Sequence, residues 1–144
     1  MILKESISNH THPRLWLALQ AIPGLGCTSA LKLVARCGIS QPFQLSVEQL
    51  QSFRLSPTQI NAIHHPDWSV IDAIVDWAKQ NSCHIVCYDA PAYPNCLKEI
   101  SAPPLLLFAQ GDVSLLSQPQ LAVIGSRNAT YYGREKAADF ARQL

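Results

Sequence analysis

Residues 121–144 read LAVIGSRNATYYGREKAADFARQL. The apolar run Leu121–Ile124 has the length and branching of a buried strand, and Gly125-Ser126-Arg127 closes it. A segment with helical apolar spacing follows, through Ala137, Phe140, Ala141 and Leu144. Strand, glycine turn and helix in that order make one unit of a parallel α/β sheet. The strand tips of such sheets open into the crevice where ligands bind. Gly125 lets the backbone approach a ligand, Ser126 offers a hydroxyl and an amide, and Arg127 offers a planar fork matched to phosphate oxygens. Thr130 can cap the helix behind the turn, whose N-terminus attracts anions. These features converge, so the turn is expected to be a phosphate or carboxylate site and not merely a bend with Arg127 in solvent.

The same stretch excludes two common nucleotide sites. A dinucleotide fingerprint needs GxGxxG, but the next glycine after Gly125 is Gly133. The phosphate loop GxxxxGK[ST] is also missing. No nucleophile stands beside a base and no carboxylates are paired, so no catalytic residue is expected.

Upstream, CHIVCY (83–88) and LLLFA (105–109) are short apolar β-prone runs. PAYPNCLKEI (91–100) reads as a turn with a short helix. Continuous apolar strands separated by helices predict a sheet covered on both faces. Residues 82–144 are therefore expected to begin a Rossmann-like parallel-sheet domain that lacks its later strands. An incomplete domain predicts a truncated form, with a C-terminal half less stable than the rest.

Residues 1–81 read as helical. Thr11 can cap a helix that takes Pro13 in its first turn. Ile22-Pro-Gly-Leu-Gly26 breaks it, and CTSALKLVARC (27–37) resumes as a helix ended by Gly38. Ser46 and Gln49 have capping-box spacing, Ser56-Pro57 opens another helix, and Asp67 opens a longer one. Phe53, Ile60, Ile71 and Ile74 are expected to form a helical core of their own. The hairpin with Gly24 and Gly26 is of the helix-hairpin-helix type. Its amides could hold a second phosphate, although Lys32 and Arg36 are the only cations near it in sequence.

Composition sets bounds. Forty-eight per cent of the chain is hydrophobic and 15% charged, which describes a globular chain and not a disordered one. The net charge of +1 does not announce a nucleic-acid binder. The last 24 residues do concentrate Arg127, Arg134, Lys136 and Arg142 against Glu135 and Asp139. Five cysteines without CxxC spacing suit neither a disulfide framework nor zinc, and no metal or cofactor is expected. Met1–Arg14 lacks the apolar core of a secretory signal, and no apolar run could span a bilayer. A cytoplasmic protein is the expectation.

One ordered set of residues goes further. Tyr93-Pro94, Leu97–Ile100, Pro103-Pro104-Leu105, Leu107-Phe108, Gly111-Asp112, Ala122–Arg127 and Thr130–Gly133 resemble the DprA/Smf family of DNA-processing proteins in order and spacing. The likeness covers residues 85–144, and the leading part with IPGLG fits the family's small helical SAM-like domain less specifically. The resemblance implies a protein without catalysis that binds single-stranded DNA, protects incoming strands in natural transformation and helps load the RecA recombinase. It implies a homodimer in the longer form, and it places Gly125, Ser126 and Arg127 in the strand site, with Arg127 on a phosphate; Thr130 and Gly133, at the helix start behind the turn, are expected to join them. The family's later glycine-rich loop is not reached. Two rivals remain: a fragment of a Rossmann-like nucleotide phosphoribohydrolase, and a helical protein-binding module.

Overall fold

The computed structural model describes residues 13–143. The expected cap at Thr11 and the last apolar position, Leu144, lie outside them. Five helices come first: α1 (Pro13–Gln20), α2 (Cys27–Cys37), α3 (Val47–Ser52), α4 (Pro57–His64) and α5 (Trp68–Gln80). Strand β1 (Cys83–Cys87), the one-turn α6 (Asn95–Lys98), strand β2 (Leu106–Gln110) and α7 (Tyr131–Gln143) complete the chain. Short 3₁₀ turns occupy Gln41–Phe43 and Val113–Ser117.

Side-chain caps decide where the helices begin. Ser46 and Ser56 each accept a bond from the backbone N–H three residues on. Gln49 and Gln59 reach back to the Ser46 and Ser56 amides at 2.8 and 2.9 Å. Both are complete capping boxes, and Pro57 adds a preset φ at the first position of α4. Asp67 caps α5 by accepting from Val70 N–H at 3.2 Å. Between α3 and α4 the chain turns through Arg54, whose φ of +60° is unusual for a side-chain-bearing residue. Gly38 ends α2 at φ 79°, ψ 170°, a positive φ outside the left-handed helical basin.

Most buried side chains join one cluster, with Ala78, Val86 and Tyr93 buried outside it. Trp16, Leu19, Ala30 and Leu50 are wholly buried, and Ile60, Ile63 and Ile71 nearly so. Cys87, Leu105 and Leu106 from the strand region belong to the same cluster. The expected separation of a helical core from an α/β core is therefore not found. Helix α1 packs on both α5 and β1, and α5 also packs on β1, so the strands close over the helices. Trp16 meets Tyr88 at 6.3 Å between ring centroids, and Tyr88 meets Tyr93 at 5.2 Å. The Tyr93 hydroxyl donates to the Pro104 carbonyl at 2.8 Å, tying the β1–β2 connection to its own far end.

The sheet departs from the expected parallel order. β1 and β2 are antiparallel, with Cys83 opposite Gln110 and Cys87 opposite Leu106. A parallel return needs a crossover that carries the chain back along the strand, usually on a helix. The only helix between β1 and β2 is the four-residue α6, about 6 Å long, against about 16 Å for a five-residue strand. The third expected strand is also absent. Residues 121–126 are irregular, and Leu121, Val123 and Ile124 are 70%, 53% and 92% exposed. A strand exists by pairing its backbone with a neighbour, and no described residue pairs with this run. Among the described residues no helix is long and apolar enough to cross a membrane.

Candidate nucleic-acid interface

The Gly-Ser-Arg segment lies in the exposed stretch that joins Gln118 to α7. Gly125 has open space where a Cβ would stand. Ser126 Oγ accepts from the Asn128 N–H at 3.3 Å, which folds the chain into a turn at Arg127 and Asn128. The expected strand tip is therefore an exposed turn without a strand, because Leu121–Ile124 has no pairing partner.

Thr130 does cap α7. Its Oγ1 accepts from Gly133 N–H at 3.1 Å, and its carbonyl takes the first helical bond, from Arg134 N–H. A Cβ at position 133 would stand 3.3 Å from that oxygen, so glycine eases the cap. No acidic residue occupies the first turn of α7, and its leading amides carry the positive end of the helix dipole. The cations of this region divide into two groups. Lys136 and Arg142 both pair with Asp139, at 3.6 and 3.0 Å. Arg127 and Arg134 have no ion pair among the described residues. Tyr131 and Tyr132 stand beside them, 72% and 68% exposed. Sequence reasoning passed over Arg134 and these two rings as binding groups. The signal was the aromatic pair in a helix's first turn, flanked by arginines.

Gly24 and Gly26 belong to the α1–α2 hairpin. Gly24 takes φ +69°, which glycine adopts without strain. Gly26 does not use the positive φ open to glycine. It sits at φ −67°, ψ 152° as the residue before α2, and its carbonyl accepts from Ser29 and Ala30 N–H. Thr28 Oγ1 donates to the Ser101 carbonyl at 3.4 Å, so a carbonyl oxygen already lies beside this helix start. That oxygen weakens the hairpin as an anion site. Gly24 and Gly26 and the 125–133 segment thus lie on different elements.

Cys87, Asp89 and His64 are engaged within the fold. The Cys87 thiol is pushed up to about 12, first by burial and then by the Asp89 carboxylate. Burial also raises Asp89, offset by its own backbone amide, the Trp16 indole and Lys98. His64 Nε2 donates to the Leu45 carbonyl at 2.9 Å and holds the α2–α3 connection. No group of three or more His, Cys, Asp or Glu among the described residues could hold a metal ion.

Residues 11–76 match the family model described as the SMF/DprA SAM domain, and residues 84–144 match the one described as DNA recombination-mediator protein A. DNA processing protein DprA of Bacillus subtilis (strain 168) is 31% identical over 67 residues, 46% of this chain and 23% of that protein. Protein Smf of Escherichia coli (strain K12) is 25% identical over 130 residues, 90% of this chain and 34% of that protein. The chain spans about a quarter to a third of the length of these curated relatives. No solved structure matches it.

Proposed function

Because this chain belongs to the DprA/Smf family, we propose that it serves DNA processing in natural transformation, as a cytoplasmic binder of single-stranded DNA and not as an enzyme. The observation that carries this reading is the pair of family matches, met in order along the chain, the second of them spanning Gly125–Gly133. The geometry supports it. A strand without sequence preference is held by cations on its phosphates and ring faces under its bases. Arg127 and Arg134 have no ion pair among the described residues and flank an exposed helix start, where Tyr131 and Tyr132 are exposed rings. In this reading Gly125, Ser126, Thr130 and Gly133 shape the turn and the cap, and Arg127 takes a phosphate. Family membership supports two further roles, delivery of the strand to the RecA recombinase and self-association as a homodimer.

The test is fluorescence anisotropy with labelled oligothymidine across a salt series. One hydrogen bond to a charged group contributes on the order of 1.5–3 kcal/mol. Arg127→Ala should therefore weaken binding by roughly ten- to a hundredfold. Losing one phosphate contact should reduce the log–log salt slope by about 0.7. An Arg127→Ala chain with unchanged affinity and slope would make Gly125-Ser126-Arg127 a plain turn.

A further inference from the structure

An open cavity of about 440 Å³ lies between α2 and the corner that joins α3 to α4. Lys32, Arg36 and Arg54 line it, together with Ser29, Ser52 and the apolar side chains of Leu33, Phe53 and Leu55. No carboxylate is in the lining, and none of the three cations has an ion pair among the described residues. Ser29, Lys32 and Arg36 share one helix face at spacings of three and four. Arg54 comes from the corner, two residues past the end of α3, at φ +60°. That is the position where glycine most easily ends a helix, yet an arginine fills it. Arg36 lies over the Phe53 ring at 5.8 Å. A guanidinium beside a ring keeps N–H donors for the oxygens of an anion such as a phosphate.

Three like charges around one cavity repel each other, and an anion between them removes the repulsion. Leu33, Phe53 and Leu55 in the same lining favour a ligand that carries apolar surface beside its charge. A nucleic-acid strand, with alternating phosphates and flat bases, meets both. We propose that the groove of Lys32, Arg36 and Arg54 is a second phosphate-backbone site for single-stranded DNA, distinct from the 125–133 segment and from the Gly24–Gly26 hairpin. The choice of a DNA strand over another polyanion rests on the function proposed above.

The test uses the whole chain and labelled oligothymidine, read by anisotropy across a salt series. Arg54→Gly removes a cation where the backbone suits glycine, so its fold should hold, as circular dichroism will check. Lys32→Ala and Arg127→Ala are measured alongside. Arg54→Gly and Lys32→Ala should each weaken binding about fivefold near 0.1 M salt and remove about 0.7 from the salt slope. Inorganic phosphate and polyglutamate should compete poorly. Groove variants that bind like the parent, while Arg127→Ala binds weakly, overturn the groove and leave the proposed function standing. The reverse pattern upholds the groove and removes Arg127 from the site. A parent chain that binds no oligothymidine overturns both. Displacement by polyglutamate at matched charge, or by phosphate at matched concentration, overturns the assignment to a DNA strand.

Discussion

Cys87 is 3% exposed, whereas Cys96 lies at the surface. Only the thiolate reacts, and the Cys87 thiol is held up at about 12. Iodoacetamide near pH 8 should therefore modify Cys96 in the native chain and reach Cys87 only after denaturation, which mass spectrometry of the peptides will show. The same displacement affects stability at alkaline pH. The unfolded thiol ionises near 9.0 and the folded one near 12, so the unfolded state loses its proton first. Through Cys87, stability is unchanged below about 9 and falls as pH rises from there towards 12. Cys87→Ala should flatten that alkaline decline in urea midpoints. Single residues differed in legibility. Thr130 could be read as a cap because a hydroxyl stands before a helical pattern. Arg54 could not, since neither glycine nor asparagine marks its turn.

The capping box at Ser56 and Gln59 repeats the spacing at Ser46 and Gln49. Ser56→Ala leaves the Gln59 N–H without its side-chain acceptor and should destabilise the fold by about 1 kcal/mol, read from urea unfolding. Helices were legible because their signals are local: a cap, a period and a stop, all within a dozen residues. Strand order was not. CHIVC and LLFAQ are apolar runs whose pairing partner and direction lie in the length of the link between them. A one-turn helix in that link turns the chain antiparallel, and apolar composition says nothing about this. Leu121–Ile124 has the same composition as a strand and no neighbour to pair with. The turn chemistry around Arg127 does not depend on that strand, because Ser126, Thr130 and Gly133 bond locally whether or not one precedes them.

At the scale of the whole molecule, α1 and the β1–β2 pair share a core. Leu105, 1% exposed, belongs to the strand region yet packs into the helical cluster. Leu105→Ala should cost about 2–5 kcal/mol and lower the unfolding midpoint of the helices together with that of the strands. Tryptophan fluorescence and far-ultraviolet dichroism should report one coincident transition, and two separated transitions would divide the core. Ile74, only partly buried, should tolerate truncation better than Leu105. The sequence pattern suggested two cores because each half has its own periodicity, while burial of Trp16 against distant Tyr88 leaves no periodic trace. That contact also bears on how the chain is made. Trp16 emerges from the ribosome early, and its partner ring follows about 70 residues later. At synthesis rates of about 5–20 residues per second, the indole waits roughly 4–14 s for the ring that covers it. Newborn chains therefore pass through a window in which the centre of the future core is open to chaperones and to one another.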